Sequence, residues 1–387
     1  MKICIINNLY KPYNRGGAET IAQLCAEGLE SSGNEVFIIT SKPILKKINF
    51  KKNNKIYYIS SIFPYLNKTP FFLRVFWHIL DTFDIGSYLK IKSLLKKEKP
   101  DVVITHNLKG IGFLIPRAIK SLRIKHIHTL HDIQLLHPSG LLMCGKEKKL
   151  TTFWARIYIK INKFLFKEVD KVISPSQWLL DEHTGYDFFQ KAEKIVLPNP
   201  IQINKKKEIK QNKNNFKKIK LLYIGHLSKP KGVFFLLNAV KKISTQLELH
   251  LLGVNVEGKL INKIAKQSNN IFLYGFLERS GVYKMMVQSD LLIVPSLCYE
   301  NSPTVIYEAA FLGLPVLASR IGGITELIHF LGGILFNPNS EKDFILKLKW
   351  AIKNPQSLSR IGIKSSDKIK EYSLENYINK LLALIKD

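Results

Sequence analysis

Residues 294–328 restrict the fold of this chain more than any other stretch. They run Val294-Pro-Ser-Leu-Cys-Tyr-Glu300-Asn-Ser-Pro-Thr-Val-Ile-Tyr-Glu308, continue through Gly-Leu-Pro-Val-Leu-Ala-Ser319, and close on Gly322-Gly323-Ile-Thr-Glu326. An apolar strand, Leu291–Pro295, leads in. Ser302-Pro303 signals a helix start, with Ser302 as N-cap and Pro303 at the first helical position. Glu308 then falls almost two turns into the helix. A second apolar strand follows and ends in the Gly-Gly turn. Strand, helix and strand in this order build a parallel sheet whose carboxyl edge presents helix N-termini. Unpaired N–H groups of the first turn, from Ser302 and Thr304 onward, suit the phosphates of a nucleotide diphosphate. A carboxylate at Glu308 suits a pair of sugar hydroxyls.

The same grammar occurs twice. With 387 residues the chain exceeds one ordinary core, so two domains are expected. The first opens with the strand Lys2–Asn7 and a helix from Gly16-Gly17-Ala18-Glu19 to about Leu29. It continues with the strands Glu35–Thr40, Val102–Thr105, Lys125–Leu130, Val172–Ser174 and Ile195–Leu197. Helices are expected over 71–97 in two pieces, near 111–121, over Thr151–Lys171 and over Pro175–His183. Residues 41–69 give no clear period. Asn204–Lys220, with eight lysines and one glutamate, reads as a solvated linker. Beyond it come the strand Lys220–Gly225, a helix near Gly232–Ile243, the strands Leu247–Leu252 and Ile271–Tyr274, and a helix near Gly281–Gln288. Ser373 reads as the cap of a last helix, Leu374–Lys386. The domain plan is therefore 1–200, a linker at 201–219, and 220–370, with 371–387 returning to the first domain. Alternating strands and helices make both domains α/β with parallel sheets.

Charge and cysteines narrow the function classes. The formal net charge is +29, and residues 42–99 carry 13 Lys/Arg against 3 Asp/Glu, interleaved with Phe50, Tyr57, Tyr58, Phe63, Tyr65, Phe71, Phe72, Phe76 and Trp77. Basic stems and rings together suit an anionic membrane surface. Heavy use of Lys, Asn and Ile throughout the chain is the compositional alternative. No nucleic-acid-binding motif is present, so no specific nucleic acid is expected as a partner. Cys4, Cys25, Cys144 and Cys298 are scattered, which gives no zinc motif or disulfide framework and fits a reducing, cytoplasmic setting. No stretch has the length of a membrane span, so membrane contact would be peripheral.

Other motifs carry chemistry. Gly16-Gly17 sits where the first strand meets the first helix, and lets backbone approach a ligand. Gly225-His226-Leu-Ser-Lys-Pro-Lys231-Gly232 follows the first strand of the second domain, and Lys231 can neutralise a departing diphosphate. His131, in Thr129-Leu-His-Asp132, stands at a strand's carboxyl end. His126 and His128 read as structural, and the three together make no metal-ligand set. Cys144 has no base beside it in sequence to make it a nucleophile.

The pattern Glu300-x7-Glu308, Gly-x-Pro-Val-x-x-Ser319, Gly322-Gly323-x-x-Glu326 resembles the donor-binding signature of retaining glycosyltransferases of family 4. Gly16-Gly17-x-Glu19 and Gly225-His226-Leu-x3-Lys231-Gly232 are similar to that family's other loops. The resemblance covers about Met1 to Lys386. It implies a GT-B fold, two Rossmann-like α/β domains facing a cleft, with the acceptor mainly on the first and a nucleotide-diphosphate sugar mainly on the second. It places Gly16, Gly17, Gly225, His226, Lys231, Ser302, Thr304, Gly322 and Gly323 around the donor. Glu308 would take the ribose, Glu300 and His131 would lie by the transferred sugar, and Glu326 would act as a helix-capping acid. The loop His137–Gly145 would shape the acceptor side. His226 stands where the family usually has Arg, and Leu252–Gly258 replaces its Gly-Asp-Gly-Pro. The implied activity is retaining glycosyl transfer to a glycan or lipid-linked glycan, without a cofactor. With no Asp-x-Asp in the chain, it would also proceed without a metal. The alternatives are another GT-B enzyme, such as a sugar-nucleotide epimerase, and a non-catalytic membrane- or nucleic-acid-binding protein on the same fold.

Overall fold

The computed structural model describes residues 1–13, 16–43, 55–61, 69–70, 73–203, 218–243 and 247–387. Most of the lysine-rich linker, 204–217, lies outside the described residues. The chain divides into two compact units. Unit 1 comprises Met1–Leu141, Lys148–Pro200 and Leu374–Asp387, and unit 2 comprises Leu142–Glu147 and Ile201–Ser373.

Unit 1 is an α/β layer structure. In chain order it holds β1 (Lys2–Ile6), α1 (Gly17–Ser31), β2 (Glu35–Pro43), β3 (Lys55–Ser61), α2 (Arg74–Thr82), α3 (Ile85–Glu98), β4 (Val102–Thr105) and α4 (Ile115–Ser121). Then come β5 (Lys125–Thr129), α5 (Phe153–Phe166), β6 (Lys171–Ser174), α6 (Gln177–Thr184) and β7 (Glu193–Val196). The sheet order is β3-β2-β1-β4-β5-β6-β7, with every pairing parallel. Both faces of such a sheet must be covered, so the central strands are apolar throughout: Ile3 to Ile6 are all fully buried. Ile3, Ile5, Ile38, Ile104 and Ile127 point to the side covered by α1 and by the last helix, which runs from Leu374 to Lys386. Gly28 lets those two helices close, since a Cβ there would meet Ile378. Crossovers of one hand place α2 to α6 on the other side.

Three expectations shift here. The unassigned stretch 41–69 contains β3, which extends the sheet edge beside β2. The amphipathic helix stops at Phe166, capped at its start by Thr152, whose hydroxyl accepts from Ala155 N–H. Lys171 belongs to β6 instead, with its ammonium 2.8 Å from Glu193.

Unit 2 repeats the plan with β8 (Ile219–Ile224), α7 (Val233–Lys241), β9 (Leu247–Leu252), α8 (Lys259–Lys266), β10 (Ile271–Gly275), α9 (Arg279–Gln288) and β11 (Leu291–Val294). It ends with α10 (Thr304–Phe311), β12 (Val316–Ser319), α11 (Gly322–Leu331), β13 (Ile334–Phe336), α12 (Glu341–Lys353) and α13 (Pro355–Lys368), and α14 is the returning helix Leu374–Lys386. Its parallel sheet has the order β10-β9-β8-β11-β12-β13. Leu221, Leu249 and Ile293 pack to one face, and Leu222, Leu292 and Ala318 to the other. Residues 142–147 join this unit because Met143 pairs antiparallel with Cys298, and Tyr299 N–H donates to Leu142 O at 2.8 Å. The loop 137–145 is therefore split. Its second half braces the segment that carries Glu300.

Candidate active site

In unit 2 the direction of chain progression reverses between β8 and β11, the switch point where open α/β sheets bind ligands at their carboxyl edge. The loop after β8 and the loop after β11 are therefore neighbours, although 70 residues part Pro230 from Glu300. Leu297 N–H donates to Pro230 O at 2.9 Å. Gly232 sits at φ 74°, and a Cβ on it would lie 1.8 Å from Pro295 O. This contact sets Lys231 against Glu300, with Nζ 2.8 Å from Oε2. Ser296 donates from its hydroxyl to the other carboxylate oxygen. Burial works against the charge on Lys231. Glu300 more than offsets it, and the ammonium titrates above its ordinary range.

Gly225 has φ 150°, and Gly253 on the adjacent strand end packs so close that a Cβ would stand 2.0 Å from Gly225 O. Burial first, and Lys231 second, push the imidazole of His226 below its ordinary value. His226 is therefore neutral at pH 7 and adds no fixed positive charge beside Lys231.

The helix after β11 begins one residue later than expected. Pro303 is the N-cap and Thr304 the first helical residue, with no side-chain cap bond. The Ser302 hydroxyl instead pairs with Tyr307 Oη at 2.5 Å. Glu308 is accordingly the fifth helical residue, a little over one turn in. Burial raises its carboxyl above the usual range, and Arg279, 3.8 Å away, opposes that shift. Gly322 and Gly323 form the first two residues of α11, and Gly323 N–H donates to Glu300 O at 2.9 Å. Glu326 is the fifth residue of α11, past the first turn, so it is not a capping acid. Ser319 is fully buried at the end of β12.

In unit 1 the reversal falls between β1 and β4. Asn8 N–H donates to Asn107 O at 2.8 Å, and Asn107 N–H to Asn7 Oδ1 at 3.1 Å. Beside this joint His106 Nδ1 lies 2.8 Å from His131 Nε2, with the rings stacked. Burial holds both imidazoles neutral, His131 down to about 4 and His106 well below its ordinary value. Asp132 turns away to accept from Gln134 N–H at 2.7 Å, and burial lifts its carboxyl to about 6. Gly16 is the N-cap of α1, and Gly17 its first residue. His126 Nε2 and His128 Nδ1 each lie 2.8 Å from the Thr105 hydroxyl inside the layer. The thiols have no activating surroundings either, since burial pushes Cys298 up to about 11 and Cys144 above its usual value.

Sequence reasoning did not find Arg279, Ser296 or His106 as parts of these arrangements. Each meets its partner through the fold. Only the position of His106 at a strand end hinted at it.

The neutral imidazoles give an acid limb to stability. His126, His183 and His131 fall to about 3, 4 and 4, and His106 and His128 also titrate low. A folded-state value below the unfolded one means the unfolded chain binds more protons, so stability is full above pH ~6.5 and drains as pH falls toward 4. Asp81, raised to about 7 by burial, and Asp132 act with the opposite sign. With His78, which burial also lowers to about 4, and His137, the lowered imidazoles outweigh these two carboxyls. Calorimetry at pH 7, 6 and 5 should show the unit 1 transition falling steadily, and His183→Asn should flatten that slope. A pH-independent transition would contradict the burial argument.

Two parallel α/β units with these strand orders are the two Rossmann-like domains of a GT-B fold. The family model described as Glycosyltransferase Family 4 matches residues 15–205, and that described as Glycosyl transferases group 1 matches residues 204–373. The chain belongs to the family 4 glycosyltransferases. An uncharacterised 42.6 kDa protein in the cps region of Klebsiella pneumoniae is 29% identical over 87% of this chain and 90% of its own. The UDP-Gal:alpha-D-GlcNAc-diphosphoundecaprenol alpha-1,3-galactosyltransferase of Escherichia coli is 25% identical over 77% of this chain and 81% of its own. HepE of Anabaena, solved in complex with UDP-glucose, superposes with a TM-score of 0.72 at 16% identity, covering 100% of this chain and 99% of that one.

Proposed function

We propose that this glycosyltransferase moves a sugar from a nucleotide-diphosphate sugar to a glycan or lipid-linked glycan, with retention of anomeric configuration, in the assembly of cell-surface polysaccharide or glycolipid. The observation that carries the reading is the Lys231–Glu300 pair at the β8/β11 switch point, flanked by the N-termini of α10 and α11. Lys231 balances charge as the bond from the sugar's anomeric carbon to the diphosphate oxygen breaks. The acceptor oxygen bonds to that carbon on the same face, and its proton passes to the departing diphosphate. Helix N–H groups hold the phosphates, and Glu308 accepts the ribose hydroxyls. Glu300 and the neutral His131 act toward the transferred sugar. No side-chain nucleophile and no metal is assigned to the step. The Escherichia coli relative, named for an acceptor on diphosphoundecaprenol, supports an acceptor carried on a lipid diphosphate.

Thermal unfolding with UDP, GDP, ADP and CMP tests the donor site. A ligand at a hundredfold excess over its Kd adds about 2.7 kcal/mol, a rise of roughly 5 to 11 °C for a unit of this size. One diphosphate should give that rise in the parent chain and not in Glu308→Ala. A rise with none of the four would remove the reading.

A further inference from the structure

We infer that the helical layer of unit 1 formed by α2, α3 and α5 is a docking face for an anionic lipid bilayer. Helix α2 turns a row of apolar side chains to solvent. Its apolar stripe, Val75, Phe76, Ile79 and Leu80, continued by Phe83, recurs at one-, three- and four-residue spacings and faces solvent, with Phe76 64% and Leu80 63% exposed. The same helix buries Trp77 together with Asp81 and Thr82. Along α5, in the same layer, Phe153 is 69% and Trp154 77% exposed, with Ile157 and Phe164 further along the exposed face. Isolated exposed apolar residues need no explanation, but aligned stripes on two helices of one layer do.

Basic groups outnumber acids on this face, although Lys163 pairs with Asp187 at 3.2 Å and Lys167 lies 3.8 Å from Glu168. Arg156, Lys160, Lys163 and Lys167 accompany the α5 stripe, and α5 contains no acid. Arg117 lies 4.1 Å over the Phe164 ring. Around α2 and α3, Lys90, Lys96 and Lys97 are exposed. The acids of that stretch are engaged internally. Asp81 accepts from Gly110 N–H at 2.8 Å, Asp84 from Ser87 N–H at 2.9 Å, and Glu98 pairs with Lys2 at 2.8 Å. A bilayer interface takes such a face whole, with rings and aliphatic chains at the acyl boundary and ammonium groups among anionic headgroups. A second copy of the chain would set like charges against each other across a two-fold axis. Nucleic acid would leave the aliphatic stripe of α2 unmatched. Among the described residues no helix is long and apolar enough to cross a membrane, so the contact is with the surface. The inference stands apart from the transfer reaction.

Co-sedimentation with vesicles tests it. The full chain should bind vesicles of phosphatidylcholine mixed with phosphatidylglycerol, should bind poorly to phosphatidylcholine alone, and should be released by salt. Phe76→Ser with Leu80→Ser, Phe153→Ser with Trp154→Ser, and Arg156→Glu with Lys160→Glu should each lower partitioning at least about tenfold. These positions are exposed, so unchanged circular dichroism and unfolding temperature will show that each variant folds. Equal binding to both vesicle types, or partitioning that the three pairs leave unaltered, would overturn the proposal. So would sedimentation equilibrium showing a stable dimer that the Phe76/Leu80 pair dissolves.

Discussion

Lys231→Met should lower the rate of glycosyl transfer by about 10²- to 10³-fold, the loss that follows removal of one group aimed at developing charge. The substitution keeps an unbranched stem and removes the ammonium alone. It also strips Glu300 of its partner, leaving the Ser296 hydroxyl as the remaining side-chain donor described for that carboxylate. Glu300 is 13% exposed and Lys231 31%, so solvent softens the penalty, to about 1–3 kcal/mol of stability. These two effects separate in a double-mutant cycle. Lys231→Met with Glu300→Gln removes the unpaired charge and should recover most of the stability. Turnover should stay low, because Lys231 is the cation set against Glu300 at the switch point and the neutral His226 does not replace it. The measurement is initial rate and unfolding temperature for all four corners, with the nucleotide that gives the thermal shift. If the double variant regains turnover along with stability, the pair is a strut and Lys231 has no part in the chemistry.

The fold was legible because its information is local. Near-continuous apolar runs such as Ile3–Ile6 and Leu291–Val294 can be little other than buried parallel strands, and the Gly and Pro signals between them mark the strand ends. β3 was not legible. It sits at the sheet edge, with one neighbour and a half-buried, lysine-bordered sequence, so it lacks the pattern of a two-sided strand. Lys171 misled for a similar reason: its spacing continues the basic row of α5, but its ammonium reaches Glu193 on the next strand. In the site, Lys231, Glu300 and Glu308 stood out because strand ends and helix starts are written in adjacent residues. Their partners did not. Arg279 reaches Glu308 from another helix, and His106 meets His131 because β4 and β5 are neighbours, which only the sheet order dictates. The one-residue error at Ser302-Pro303 has its own cause. The Ser302 hydroxyl meets Tyr307, a pairing made by packing and invisible to a capping rule.

Gly232→Ala should be the most destabilising single-atom change in unit 2. Two penalties coincide at this position. The backbone φ of 74° is costly for any residue with a Cβ, by about 1–2 kcal/mol. The new methyl would also stand 1.8 Å from Pro295 O, and neither side can yield cheaply. Pro295 follows β11, and the next residues are held by Leu297 N–H bonded to Pro230 O on the same loop that carries Gly232. The clash therefore has to be relieved by opening the β8/β11 joint itself. A loss beyond about 4 kcal/mol is expected, in the range that marks exceptional substitutions. Gly258→Ala provides the contrast. It shares a positive φ, 59°, but a Cβ there meets nothing within 4 Å, so backbone strain alone should remain, at about 1–2 kcal/mol. Chemical denaturation following the unit 2 transition should separate the two variants by more than about 2 kcal/mol. Equal losses would mean that the joint relaxes freely. Lys231 and Glu300 would then owe their 2.8 Å approach to their own attraction rather than to the backbone contact beneath them.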